Sequence, residues 1–179
     1  MTDNQNLPAL TDLEFISYLD EKGEIHELYQ AKIGVYAIFN QAQILQLVGY
    51  SRDIYLSLKQ HLVRQPLECY WLKIETIDRP SRTILESIKQ AWIKENGAIP
   101  LGNREGEDQW LKAIDVKFLM TEAEKATYQK EEEIAQIKLL KIVARRRETE
   151  ILDLLDKRGV KMEIRFNPKL KEQGLLDLK

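Results

Sequence analysis

The stretch "IGVYAIFNQAQILQLVGYSRD", from Ile33 to Asp53, decides the fold of this chain. Its two apolar runs, "GVYAIFN" and "ILQLVGY", are dense in the β-branched, aliphatic and aromatic residues that favour strands. The polar segment "NQAQ" between them is short, as in the loop of a hairpin. The stretch therefore predicts two antiparallel strands, each of which carries a glycine and a tyrosine.

The residues that follow predict two helices with a strand between them. In the first segment apolar side chains recur every four residues, which indicates a helix near Asp53 to Val63 with Ser51 or Asp53 at its N-cap. "ECYWLKIET" then returns to strand composition. "RPSRTILESIKQAWIKENG" carries an apolar stripe at helical spacing, so a second helix is expected near Arg82 to Glu95, with Ser81 as its cap.

The fold class that this order predicts is α/β, of the α+β type. A three-stranded antiparallel sheet from about Ile33 to Thr76 packs against the two helices, and a hairpin around the turn "DEKG" precedes it. Further along, "WLKAIDVKFLM" predicts an added strand. A long helix then runs from about Thr121 to Lys157, with "TEAE" as its capping box. A short strand in "KRGVKMEIRFNP" and a polar tail complete the chain.

The predicted organisation has three segments. Residues 1–31 contain a loose lead-in over Met1 to Thr11 and then the N-terminal hairpin. Residues 32–103 form the α/β domain. Residues 104–179 form a C-terminal extension whose main element is the long, charged, amphipathic helix.

The net charge and the counts of cysteine and histidine exclude several kinds of protein. The 179 residues carry a formal charge of −2, so nucleic-acid binding would need a local basic patch rather than an overall positive charge. A single cysteine, Cys69, cannot form an internal disulfide, and with His26 and His61 as the only histidines a zinc site is not expected. Neither a secretory signal nor a membrane-spanning run is recognised, which favours the cytoplasm.

The order of elements, together with a set of motif residues, resembles the GIY-YIG nuclease superfamily. The resemblance covers roughly Ile33 to Asn103. It depends on short motifs in the two strands of the hairpin, a glutamate in the second helix and an asparagine in the loop after it. These residues are Gly34, Val35, Tyr36, Val48, Gly49, Glu86 and Asn103.

This resemblance implies a site that cleaves phosphodiesters with one divalent metal ion. It assigns the metal, Mg²⁺, to Glu86, the activation of water to Tyr36, and a place in the catalytic set to Asn103. Such chemistry needs a hard oxygen ligand, a proton acceptor and a cation that stabilises the charged transition state. Gly49 would allow close approach of the backbone at the end of its strand.

Three positions depart from the pattern of that superfamily. Leu47 occupies the place of a common tyrosine, Tyr50 that of a common basic residue, and Ser57 that of an arginine in the first helix. Serine has neither the charge nor the paired donors of a guanidinium group. Arg52, Lys59 and His61 are the nearest cationic candidates, and Lys59 is expected to face away from the position of Ser57 on the helix. Arg52 becomes the candidate for the missing catalytic arginine.

Two functions follow from this incomplete motif. The first is a divergent GIY-YIG protein whose nuclease activity is weakened or lost and which acts as a module that binds nucleic acid or protein. The alternative is an active endonuclease that uses a divalent metal ion to hydrolyse DNA. Whether the chain is an enzyme stays open, and Mg²⁺ is expected only if the site is retained.

The same residues also have simple structural explanations. Tyr36 in a strand is commonly a packed aromatic residue, and Glu86 on a helix is commonly a solvated charge. His26 and His61 are expected to be at the surface or half-buried, without a role as ligands. Cys69 is expected to be a small buried hydrophobic residue.

The basic segment "KLLKIVARRR", Lys138 to Arg147, has two interpretations. As a phosphate-binding face it would let DNA or RNA bind through a local patch. The preferred interpretation is a solvated stripe, because acidic residues flank the segment and the helix is close to neutral. The apolar stripe on the other side of this helix must be covered by the sheet or by a partner chain, so a protein partner is possible for the C-terminal extension.

Overall fold

Two compact units make up the part of the chain that the computed structural model describes, residues 6–179. The first unit ends at Leu111, and the second runs from Lys112 to Lys179. All three tryptophans of the chain belong to the first unit, so their fluorescence reports on that unit alone. The three-segment organisation expected from the sequence stays a prediction.

A four-stranded antiparallel sheet forms the centre of the first unit. Its strands are β1 (Ile16–Ser17), β2 (Ile33–Phe39), β3 (Leu45–Ser51) and β4 (Trp71–Ile77), in the order β1-β4-β2-β3. β2 and β3 form the predicted hairpin, and β4 pairs with the other side of β2. β2 is therefore an interior strand, and every residue after its first is buried.

Both predicted helices of this unit are confirmed. Helix α1 (Ile54–Arg64) begins at Asp53, whose side chain accepts a hydrogen bond from a backbone N–H of the first turn. Helix α2 (Arg82–Asn96) begins at Ser81, which caps it in the same way. A short helix that the sequence did not predict, α3 (Glu107–Leu111), follows a 3-10 turn at Leu101–Asn103.

The two long helices pack on opposite faces of the sheet, because side chains alternate along β2. Val35, Ala37 and Phe39 join an apolar core with Trp92 of α2. Tyr36, which lies between them in sequence, points to the other face and contacts α1 through His61. The period-two pattern of β2 thus supplies both cores of the unit.

The N-terminal hairpin predicted around "DEKG" is wrong. The turn itself forms, since the N–H of Gly23 donates to the carbonyl of Asp20 at 3.0 Å and φ of Gly23 is 78°. The residues before the turn, however, pair as β1 with Leu72 and Trp71 of β4, and those after it contain a 3-10 turn at Glu27–Tyr29. The predicted three-stranded sheet therefore has a fourth strand.

The lead-in, predicted to be loose over Met1 to Thr11, is held in place over residues 8–11, while residues 1–5 lie outside the described part. The Glu95 carboxylate accepts hydrogen bonds from the N–H groups of Leu10 and Thr11 at 2.7 and 2.9 Å. The indole N–H of Trp92 donates to the carbonyl of Pro8 at 2.8 Å. Hydrogen bonds to a carboxylate are among the stronger ones, so they anchor this segment to α2.

The second unit is built around one long helix, α5 (Glu133–Lys157). Helix α4 (Glu122–Lys130) precedes it, a short helix α6 (Pro168–Lys171) follows it, and β5 (Ile114–Asp115) pairs antiparallel with β6 (Leu175–Leu176). Buried apolar side chains from these segments form the core of the unit. They are Val116, Met120, Leu140, Val143, Ala144, Ile151, Leu155, Val160, Phe166 and Leu176.

Several predictions for this unit need correction, although the capping box "TEAE" is confirmed at the start of α4. The added strand is reduced to the two residues of β5. The single long helix is two helices, because the backbone is extended at Glu131 and Glu132. The last predicted strand is reduced to one bridge between Phe166 and Leu178, and the tail, predicted only to be polar, contains β6.

Most of the basic residues in Lys138 to Arg147 form ion pairs within the second unit. The pairs are Lys141 with Glu172 at 3.0 Å, Arg146 with Glu124 at 2.8 Å, and Arg147 with Glu150 at 3.0 Å. These contacts are at the surface, where a single pair contributes little to stability. They use much of the positive charge that a phosphate-binding face would need.

Replacing the cap of α2 tests how far local signals stabilise the first unit. We expect Ser81→Ala to lower its free energy of unfolding by about 1 kcal/mol, because the Ile84 N–H loses its acceptor. Urea unfolding followed by tryptophan fluorescence measures the change. Ser87→Ala, at an exposed position within the same helix, is the matched control and should change stability by less than about 0.5 kcal/mol. Equal losses in the two variants would contradict the capping role.

Candidate functional site

Tyr36, in the middle of β2, belongs to a buried hydrogen-bond network. Its hydroxyl lies 2.9 Å from Nε2 of His61 in α1, and Nδ1 of His61 lies 3.0 Å from the carbonyl oxygen of Trp110 in α3. Nη1 of Arg64 donates to the same carbonyl at 3.0 Å. Tyr36 and His61 are each 3% exposed, so the expectation that His61 is at the surface or half-buried is wrong. The network joins β2, α1 and α3.

The partners of His61 define its protonation state. A carbonyl oxygen can only accept, so Nδ1 carries the proton that is donated to Trp110, and Nε2 accepts from the Tyr36 hydroxyl. Burial, followed by the charge of Arg64, lowers the pKa of His61 to about 3. Burial also raises the pKa of Tyr36. Both groups are therefore neutral at pH 7, which suits a structural contact better than proton transfer at that pH.

Two glycines of the hairpin provide space for this arrangement. A Cβ atom at Gly49 would lie 2.8 Å from both Cζ and Oη of Tyr36, the residue opposite it in β2. A Cβ atom at Gly34 would lie 2.2 Å from the carbonyl oxygen of Glu75 in β4. Real Cβ atoms do not approach other atoms so closely. Packing of the sheet thus accounts for both glycines and for Tyr36.

A cleft of about 450 Å³ runs along the free edge of β3, and we call it the edge cleft. Tyr36, Leu47 and Gly49 line it on the α1 side of the sheet, and Tyr50 and Lys89 line it on the α2 side. The remaining lining residues are Val48, Gln90, Ile93, Ile99, Asn103, Glu107 and Leu111. Its volume is within the range of small-ligand sites, about 300 to 1,000 Å³.

Asn103 closes one part of the β3 edge. Its Oδ1 accepts from the Val48 N–H at 2.8 Å, and its Nδ2 donates to the Val48 carbonyl at 2.7 Å. A neighbouring strand would make the same pair of hydrogen bonds with Val48. The side-chain amide therefore takes the place of a strand at this one residue.

The edge is open two residues further along. Backbone groups of alternate residues in a strand point the same way, so the N–H and carbonyl of Tyr50 are directed away from β2, like those of Val48. No hydrogen bond to another described residue occupies them. Tyr50 therefore presents one backbone donor and one backbone acceptor at the edge cleft.

Glu86 lies half-buried beside the edge cleft without lining it. Nε2 of Gln90 donates to its carboxylate at 2.8 Å. This hydrogen bond, and after it the hydroxyl of Tyr50 and the charges of Lys89 and Arg82, lower the pKa of Glu86, while partial desolvation opposes them. The carboxylate is thus ionised at neutral pH and already engaged by its neighbours.

The described residues do not make a metal centre around Glu86. Among them, no cluster of three or more histidine, cysteine, aspartate or glutamate side chains could hold an ion. Mg²⁺ binds through one or two carboxylates and keeps several waters, so a single engaged carboxylate is a poor site without further ligands. Magnesium at Glu86 stays a prediction.

The candidate residues from the sequence do not all meet. Tyr36 and Asn103 line the edge cleft, Glu86 lies beside it, and Arg52 lines a different cavity. The roles assigned to these four residues stay predictions. His61 is a partner of Tyr36 that the sequence pattern did not predict. A signal was present, because His61 precedes Leu62 on the apolar stripe of α1, where a polar residue needs a buried partner.

Cys69 is a small buried residue, as the sequence predicted. Its side chain is 0% exposed, and Sγ donates to the backbone carbonyl of His61 at 3.6 Å. Reactive cysteines are partly exposed and lie in electropositive surroundings. The only thiol of this chain therefore lacks the setting of a redox-active cysteine.

Comparison with known proteins gives a partial similarity. No family model matches the chain. The chain is 34% identical over 83 residues to the bifunctional monothiol glutaredoxin-S16, a chloroplastic protein of Arabidopsis thaliana. The matched part is 44% of this chain, and it spans only 28% of the relative's length.

These comparisons overturn the resemblance to the GIY-YIG nuclease superfamily. The relative that the chain matches is named a glutaredoxin and not a nuclease. The interpretation as a divergent nuclease is therefore corrected, together with its alternative, an active endonuclease. Packing accounts for three of the motif residues: Gly34 and Gly49 make room for neighbouring atoms, and Tyr36 fills the space beside Gly49.

The buried network predicts that the first unit loses stability in mild acid. The pKa of His61 is about 3 in the folded protein against a usual 6.5, so the unfolded chain takes up the proton first. The free energy of unfolding should then fall as pH drops below about 6.5, by up to about 1.4 kcal/mol per pH unit. Urea unfolding followed by tryptophan fluorescence between about pH 5 and pH 6.5 measures this slope while most carboxylates are still ionised.

A matched pair of variants identifies the group responsible. His61→Gln should be less stable at pH 7 and should lose most of the pH dependence. His26→Gln, at the other histidine of the unit, should keep it. A slope that persists unchanged in His61→Gln would contradict this assignment.

Proposed function

We propose that the first unit binds a short, charged peptide in the edge cleft and serves thiol-redox chemistry whose reactive thiol lies outside these residues. Two facts support a redox setting and a binding role. The relative is named a monothiol glutaredoxin, and the only cysteine of this chain is buried. Glutathione, the tripeptide thiol that sets the redox balance of cells, is the natural first ligand to test.

The observation that carries the proposal is the open edge at Tyr50. A peptide amide offers one donor and one acceptor, and these complement the free N–H and carbonyl of Tyr50 in the way that an added strand would. Asn103 already makes this pair of hydrogen bonds with Val48 through its side-chain amide. A peptide bound at Tyr50 would extend the same pattern by one position.

Charged side chains in the edge cleft favour a ligand that carries both signs. Lys89 can bind a carboxylate and Glu107 can bind an ammonium group, and a short peptide with free ends supplies both. The ammonium group of Lys89 lies 5.7 Å from the centroid of the Tyr50 ring, so its charge is close to the side chain of the residue that offers the open backbone groups. Exposed ion pairs are weak, so we expect a dissociation constant on the order of 1 mM.

Among residues 6–179, no helix is both long and apolar enough to cross a membrane. The cytoplasm stays a prediction, while the name of the relative places that protein in the chloroplast. Two predictions about partners stay predictions. One is a protein partner for the C-terminal unit, which exposes Phe118 and Ile134. The other is a contact with DNA or RNA through a local patch.

The burial of Cys69 predicts an unreactive thiol. In the folded protein we expect no reaction with 5,5′-dithiobis(2-nitrobenzoate) on the time scale on which a free thiol reacts, because the reagent cannot reach Sγ. In urea one thiol per chain should react at once. Rapid reaction of one thiol in the folded state would contradict the proposal that the thiol lies elsewhere.

Titration with small peptides tests the binding role. We expect glutathione and triglycine, which lacks a thiol, both to shift the backbone amide resonance of Tyr50 in ¹⁵N-edited spectra of the full chain. Lys89→Gln should weaken glutathione binding by about fivefold, because one charged contact is lost.

Lys94→Gln is the matched control, since Lys94 lies on the same helix but does not line the edge cleft. It should bind glutathione like the unaltered protein. The proposal fails if neither peptide shifts the Tyr50 amide, or if the two lysine variants weaken binding equally.

A further inference from the structure

A second cavity of about 450 Å³ lies on the other side of Tyr50, between the end of β3 and the start of α2. The cavity has a different lining from the edge cleft and shares only Tyr50 with it. We call it the arginine cavity, because Arg52 and Arg82 both line it. Nothing in the proposed peptide-binding role uses either arginine.

The charged groups that line the arginine cavity are of one sign. Arg52 and Arg82 are cationic, and no aspartate or glutamate is among the lining residues. No ion pair joins either arginine to another described residue, although the charge of Arg82 acts on nearby Glu86. Two guanidinium groups that line one cavity together with no lining carboxylate favour an oxyanion, which each can bind through paired N–H donors.

The other walls of the arginine cavity are largely apolar. Ile33, Pro80 and Leu85 are aliphatic lining residues, and Tyr50 is an aromatic one. Ser81 also lines the cavity, but its hydroxyl is already used as the acceptor that caps α2. A bare phosphate would leave this apolar surface uncovered, whereas a ligand with an attached ring would cover it.

We propose that the arginine cavity binds a small phosphomonoester carried on a planar ring. The phosphate group lies between Arg52 and Arg82, and the ring packs on Tyr50 and the aliphatic side chains behind it. The phosphate group of such a ligand carries a charge of about −2 at neutral pH, which two arginines balance. Both arginines are exposed, so binding weakens as salt concentration rises.

Phenyl phosphate and inorganic phosphate are the probes for this site, titrated into the full chain by isothermal calorimetry at low salt. We expect phenyl phosphate to bind about tenfold more tightly than inorganic phosphate, because only the former buries apolar surface. Arg52→Gln and Arg82→Gln should each weaken phenyl phosphate binding by about tenfold, and the double variant should abolish it.

Arg79→Gln is the matched control, because Arg79 is exposed and lies close in sequence to Arg82 but does not line the cavity. It should leave binding unchanged, and urea unfolding should show that all variants fold. The proposal is overturned if phenyl phosphate does not bind the unaltered protein. Equal affinities for the two probes, or a loss in Arg79→Gln as large as in Arg82→Gln, would also overturn it.

Discussion

The hydrogen bond between the Tyr36 hydroxyl and Nε2 of His61 is a buried polar contact that connects the central sheet of the first unit to its helices. It joins the interior strand β2 to α1, and the second nitrogen of His61 extends the connection to Trp110 in α3. Because both rings are buried, loss of the Tyr36 hydroxyl would leave Nε2 of His61 without its partner, which typically costs more than the hydrogen bond itself contributes. The same burial keeps both rings neutral at pH 7, so the hydrogen bond is strongest in the pH range in which neither ring is ionised.

The second constraint is the edge of β3, which the sheet order leaves without a neighbouring strand. An open edge invites pairing with other chains, and proteins usually cover such edges. Here Asn103 covers only Val48, and the backbone of Tyr50 is left at the junction of two cavities. One cavity has charges of both signs and the other has two arginines, so ligands of different chemistry suit the two sides of one residue.

Short-range sequence signals predicted the elements that contacts between residues close in sequence stabilise. The caps at Ser81 and Thr121 are confirmed, and of the two candidates Ser51 and Asp53 the structure selects Asp53 for α1; each of these side chains bonds a backbone N–H only three residues away. The hairpin of β2 and β3 is also predicted correctly, because its two strands are neighbours in sequence. The N-terminal hairpin is predicted wrongly, because β1 pairs with β4, more than fifty residues away. The segment "DEKG" correctly indicates a turn, but it does not indicate which strands pair. The long C-terminal helix was misread because its break at Glu131 and Glu132 leaves the apolar pattern nearly intact.

The sequence alone determined the strands β2 and β3, the two helices of the first unit and the burial of a lone cysteine, since each follows from composition, periodicity or a nearby cap. It also supplied a motif whose functional reading was wrong. Only the tertiary structure showed that Gly34 and Gly49 are required by close packing, and that His61 is the partner of Tyr36. These contacts join residues far apart in the chain, and no local pattern encodes which distant atoms will meet. For the same reason the sequence did not predict the open edge at Tyr50, which exists because β3 is the last strand of the sheet.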